Sequence, residues 1–169
     1  KALEVIEAHL LFEVPMSAID VVVHKQSLVH SMVEFCDGST LAQVSPPDMR
    51  LPIALGLSWP ERVPHAAPAV NWTVASTWDF APLDPDAFPA VGLAREAVAA
   101  SALHPAVFNA ANEQAVAAFA SGNLPFLGIV DTVRRVVEAF QAPDEVTLEA
   151  VDEAERWARA TADLQISVA

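Results

Sequence analysis

The chain has 169 residues, 53% of them hydrophobic, and a formal charge of −13 with nine Lys and Arg together. That length suits one ordinary domain or two small packed units, and the acidic balance argues against nucleic acid, whose phosphates need clustered cations. No apolar run reaches the ~18–20 residues that span a bilayer, no cleavable leader is visible, and one cysteine, Cys36, excludes an internal disulfide framework. A soluble, cytoplasmic protein with no membrane partner is expected.

In chain order, KALEVIEAHLLF reads as a helix over 1–12, with Leu3, Ile6, Leu10 and Phe12 near one apolar face. No Ser, Thr, Asp or Asn precedes that run to cap it, so the chain is expected to begin inside an element of something larger. Pro15 ends the helix. Strands follow near 19–24, 28–36 and 39–44, the first a β-branched and nearly continuous apolar run, the last two joined at Asp37-Gly38 by a predicted type I′ turn. Alternation over the second strand puts Val29, Ser31, Val33 and Phe35 on one face and His30, Met32 and Glu34 on the other. Three prolines make Ser45–Ile53 an irregular segment, and a short strand is expected near Trp78–Phe80. From about residue 88 the composition turns to Ala, Val, Glu and Arg with helical spacing, and four helices are predicted, near 88–100, 106–122, 126–140 and 147–165. The fold class is α+β: a small β-sheet with a flanking helix, then a C-terminal helical bundle. Domains are predicted at 1–87 and 88–169.

No Gly-rich phosphate loop and no G-x-S-x-G elbow occurs. Lys1 and Glu4 stand one helical turn apart. They read either as a solvated ion pair or as a carboxylate for a hard divalent ion beside a cation for an anionic substrate group. A single carboxylate cannot hold such an ion, so further ligands would come from outside this sequence. His24 and His30 read as hydrogen-bonding residues that fix a turn or a subunit contact. Asn109, Asn112 and Glu113 read as capping and helix–helix hydrogen-bonding groups within the bundle.

More specific than any of these is the ordered set of blocks Lys1–Phe12, His24–Gln43 (HKQSLVHSMVEFCDGSTLAQ), Pro47–Ile53 (PDMRLPI) and Asn109–Glu113 (NAANE). Together they resemble the 1-deoxy-D-xylulose 5-phosphate reductoisomerase family, over essentially the whole chain. Two positions depart from the family pattern: Lys25 stands where Pro is usual, and Ala2 where Gly is common.

The resemblance implies an enzyme that isomerises 1-deoxy-D-xylulose 5-phosphate and reduces the product with NADPH to 2-C-methyl-D-erythritol 4-phosphate, in non-mevalonate isoprenoid synthesis. It implies Mg2+ or Mn2+ with Glu4 as one ligand, substrate contacts from Lys1, Ser27 and Met49, and a homodimer formed through the connective sheet. Glu7 falls outside the family's ligand position. The family's Rossmann-like NADPH domain and its other two acidic ligands lie N-terminal to these blocks. The chain therefore resembles a C-terminal portion, expected to be inactive alone, with no cofactor-binding residue and no complete catalytic set of its own. The competing reading is a stand-alone dimerisation or interaction module without catalysis.

Overall fold

The computed structural model describes residues 1–168, which pack as two compact units: 1–20 with 84–168, and 21–83.

The first unit is helical. It contains α1 (Ala2–Phe12), a 3-10 turn (Met16–Ala18), α3 (Ala90–Ala100), α4 (His104–Ala120), α5 (Phe126–Ala139) and α6 (Leu148–Val168). Helix α4 is its centre, packing on both α5 and α6, while α1 lies on α3. Fully buried Ala111, Ala158 and Ala162 join Leu93, Val107 and Val136 in one core, and these small side chains let helix backbones approach closely. Ile6 of α1 belongs to that core. The first helix thus packs with the helical unit, whereas the sequence assigns it with the strands, and the chain re-enters this unit at Asp84, near the expected boundary at 87. Val5 and Ile6 are the buried residues of α1, but Leu10 and Phe12 of the predicted face are 58% and 75% exposed.

The connection out of α1 is fixed by polar contacts. Glu13 takes a left-handed conformation (φ 55°), His9 Nδ1 reaches the Val14 carbonyl at 2.7 Å, and the Arg95 guanidinium donates to the carbonyls of Met16 and Ile19. Helix α4 ends in a Schellman arrangement: Asn123 N–H donates to the Ala118 carbonyl at 2.9 Å, and Gly122 supplies the required positive φ of 79°.

The second unit holds β1 (Val22–Val23), β2 (Val29–Glu34), β3 (Thr40–Val44), α2 (Arg50–Ser58) and β4 (Ala81–Pro82). It forms two separate antiparallel ladders, β1 with β4 and β2 with β3. The first predicted strand shrinks to two residues and pairs with Ala81–Pro82, just beyond the strand expected at 78–80. The Asp37-Gly38 turn forms, but with different geometry. Gly38 N–H bonds the Phe35 carbonyl at 2.9 Å, Phe35 N–H bonds Ser39, and Gly38 alone has positive φ, which is a three-residue loop with a bulge rather than type I′. The Asp37 carboxylate accepts from Ser39 N–H at 2.9 Å and so stabilises the longer loop. A register shift between Val29 and Ser31 breaks the alternation read from the sequence at His30. The segment expected to be irregular turns helical at Arg50, because Pro52 sits in the first turn, where a missing N–H costs no intrahelical bond.

Candidate functional site

Helix α1 carries Lys1 at its N-cap position and Glu4 in its first turn, so helical periodicity alone sets the two side chains side by side. The Lys1 ammonium donates to Glu4 Oε2. Both side chains are 59% exposed, so water screens the pair and its contribution to stability is small. The Lys1 hydrogen bond holds the Glu4 carboxyl below its usual range, partial burial opposes this, and the Lys1 charge adds to it. The preference for ionised Glu4 is therefore present above the ordinary carboxylate pKa and is lost as pH falls through the lowered one.

The pair stands on the wall of an open cleft of about 500 Å³, lined by Lys1, Ala2, Leu3, Glu4 and Glu7 of the first helix, Ala90 of α3, and Phe108 and Asn112 of α4. Glu7, which the family pattern leaves outside the ligand position, shares this cleft. So does Asn112, whose neighbours Asn109 and Glu113 are occupied elsewhere. Asn109 donates to Glu113 at 3.0 Å, and Arg159 of α6 pairs with Glu113 at 2.6 Å and holds its carboxyl below the usual range. This matches the bundle role read for Asn109 and Glu113. The Asn112 side chain makes no hydrogen bond among the described residues and lines the cleft instead.

Beside the Lys1 ammonium, the polar side chains on this wall are the carboxylates of Glu4 and Glu7 and the amide of Asn112, whose oxygens are of the kind a hard divalent cation prefers. Among the described residues no group of three His, Cys, Asp or Glu comes together as a metal centre. Glu4 and Glu7 both line the cleft, and Glu4 is the single residue of this chain that the sequence reading expects to meet a metal ion.

The other two expected contacts lie in the second unit. Ser27 follows the turn His24–Ser27, closed by a 3.1 Å bond from Ser27 N–H to the His24 carbonyl, and it is held in the left-handed region at φ 54°. Lys25 takes the second position of that turn with negative φ, a position that accepts Pro equally well. His24 and His30 both bond backbone carbonyls, of Asp79 and Ser45, each at 2.9 Å. Met49 is 72% exposed and immediately precedes α2. Beside it, the Arg50 guanidinium grips Asp48 at 2.9 and 3.1 Å through Nε and holds that carboxyl down at about 2.

The model of the DXP reductoisomerase C-terminal domain family matches residues 44–161. A 1-deoxy-D-xylulose 5-phosphate reductoisomerase of Beutenbergia cavernae is 64% identical over 162 residues, which is 95% of this chain and 41% of the relative. Among solved structures, the Zymomonas mobilis reductoisomerase in complex with NADPH superposes with a TM-score of 0.87 at 41% identity, covering 98% of this chain and 44% of that one. A DOX-P reductoisomerase in complex with NADPH, fosmidomycin and magnesium gives 0.89 at 34% identity, covering 99% and 43%. The chain spans less than half the length of the relatives it matches. A family match over most of the chain, with relatives at these identities, shows that it belongs to the DXP reductoisomerase C-terminal domain family.

Proposed function

We propose that the chain is the C-terminal portion of an enzyme that isomerises 1-deoxy-D-xylulose 5-phosphate and reduces it with NADPH to 2-C-methyl-D-erythritol 4-phosphate, acting in the cytoplasm. The observation that carries this reading is the placement of Lys1 and Glu4 on one cleft wall by the first helix, within a chain of this family.

In this reading Glu4 is one carboxylate ligand of Mg2+ or Mn2+. With its remaining ligands supplied from outside this chain, Glu4 would help hold such an ion, which would supply Lewis-acid stabilisation of negative charge on substrate oxygen. Glu4 supplies negative charge on a rigid helical turn, and the Lys1 hydrogen bond favours its ionised form. Lys1 offers the compact cation that an oxyanion of the sugar phosphate requires, and its pairing with Glu4 presets the ammonium position before substrate arrives. Ser27 and Met49 are assigned as substrate contacts of the second unit, one a hydroxyl donor and the other a polarizable apolar surface. No residue of this chain is assigned to NADPH, since the sequence has no Gly-rich phosphate turn. Residues 1–87 are assigned to the catalytic and connective part and 88–169 to the helical C-terminal domain.

Lys1→Met in the full-length enzyme tests the substrate assignment. Removing the ammonium should raise KM for the sugar phosphate by about 10-fold or more while Mn2+ affinity changes by less than ~3-fold. An unchanged KM would remove Lys1 from the site.

Self-association through the connective strands belongs to the same proposal. Met32, Val33, Phe35 and Leu41 on the β2–β3 hairpin are 44–67% exposed, an apolar surface that pairing of two copies would cover. Sedimentation should show a dimer at micromolar concentration, and a strict monomer would contradict this interface.

A further inference from the structure

The β1–β4 ladder carries only two residue pairs, Val22 with Pro82 and Val23 with Ala81. Where the backbone pairing stops, side chains continue it. The Gln26 carboxamide donates through Nε2 to Asp79 Oδ2 at 2.8 Å, and its Oε1 accepts the Asp79 N–H at 3.3 Å. His24 Nδ1 meets the Asp79 carbonyl at 2.9 Å, and the imidazole stacks on Phe80 with ring centroids 4.5 Å apart and planes 11° from parallel. A carbonyl can only accept, so His24 carries a proton on Nδ1, and its buried Nε2 and the indole N–H of the neighbouring Trp78 have no hydrogen-bond partner among the described residues. Three contacts from the His24–Ser27 turn thus converge on one residue, Asp79.

That turn delivers Ser27 in the left-handed region at φ 54°, a conformation a β-carbon disfavours and the surroundings must enforce. The bond from Ser27 N–H to the His24 carbonyl closes the turn but does not fix its orientation against the strands. The reciprocal Gln26–Asp79 contact does. Each residue both donates and accepts, and one of the two bonds is to a carboxylate and so charge-assisted.

We propose that Gln26 and Asp79 are positioning residues that clasp the His24–Ser27 turn and so aim the Ser27 hydroxyl at the sugar phosphate. This rests on the assignment of Ser27 as a substrate contact. Neither side chain touches substrate. They act through the backbone of Ser27.

The test is steady-state kinetics of the full-length enzyme with 1-deoxy-D-xylulose 5-phosphate, using Ser27→Ala, Gln26→Ala, Asp79→Ala, the double variant Gln26→Ala with Asp79→Ala, and Asp79→Asn. Gln26→Ala, which removes both bonds, should raise KM by about 3- to 10-fold with kcat within about 2-fold of normal; Asp79→Ala, which leaves the backbone N–H of residue 79 on Gln26 Oε1, should raise it by about 3-fold, and the double variant should equal Gln26→Ala alone. Asp79→Asn keeps an acceptor oxygen for Gln26 and should restore a near-normal KM. Melting temperatures should barely move, because Asp79 is exposed and no core contact is lost. If Ser27→Ala raises KM but Asp79→Ala does not, the clasp is overturned while the Ser27 assignment survives. An unchanged KM in Ser27→Ala would overturn both. A double variant whose effect is the product of the singles, or equal losses in Asp79→Asn and Asp79→Ala, would also overturn the clasp.

Discussion

Glu4→Gln in the full-length enzyme is expected to lower Mn2+ affinity and turnover by on the order of 100-fold or more, with no change in fold. The substitution preserves shape and one carbonyl oxygen but removes the negative charge a hard cation requires. Helix α1 does not depend on that charge, because its hold on the first unit comes from buried Val5 and Ile6 on the other side of the turn. If Glu4 were only a surface partner of Lys1, the same change would cost well under ~1 kcal/mol of stability and leave catalysis near normal. The two outcomes differ by orders of magnitude in rate. Glu7 lines the same cleft and is therefore a poor control, so the comparison belongs with Glu153→Gln on the exposed face of α6, where activity should be unchanged.

The second large effect is on stability. Leu93 of α3 is 2% exposed and sits in the core with Ile6, Val107 and Val136. Truncating Leu93 to Ala should cost about 3 kcal/mol, combining the lost transfer free energy with a cavity that rigid helices cannot collapse to fill. Leu57 of α2 is 85% exposed, and Leu57→Ala in the same chain should stay within ~0.5 kcal/mol. Chemical denaturation of the 169-residue chain reads both directly. Equal losses at the two positions would mean that the helical core is not where the structure puts it.

The helical unit was legible because its signals are local. Val91, Ala94 and Ala97, then Val107, Ala111 and Ala115, recur at helical spacing and are buried on that account. The strands were harder to read. The two-pair β1–β4 ladder is set by a partner about sixty residues along the chain, and the β2–β3 hairpin carries an irregularity near His30 that no alternation pattern records. The loop at Asp37-Gly38 was located but mistyped, because the Asp37 carboxylate captures Ser39 and extends it. Proline counting hid the start of α2, since a proline in a first turn leaves no intrahelical bond unmade.

The site divides the same way. Lys1 and Glu4 meet because three residues of helix bring them together, which a sequence shows. Asn112, Phe108 and Ala90 reach the same cleft from helices roughly a hundred residues away, by packing of α1 on the helical unit. Asn112 did stand in a singled-out block, NAANE, but spacing could not separate its cleft-facing amide from Asn109, which bonds within the helix. Gln26 stands in the singled-out block His24–Gln43, but nothing in the sequence pairs it with Asp79, 53 residues away.

In the proposed function this chain supplies only part of a site, Glu4 and Lys1, to a larger reductoisomerase. Substrate-dependent NADPH oxidation by a homogeneous preparation of these 169 residues tests it most directly. The predicted result is no oxidation above background at any Mg2+ or Mn2+ concentration, together with a flat calorimetric titration with NADPH. Turnover that scales with chain concentration and requires 1-deoxy-D-xylulose 5-phosphate would contradict it.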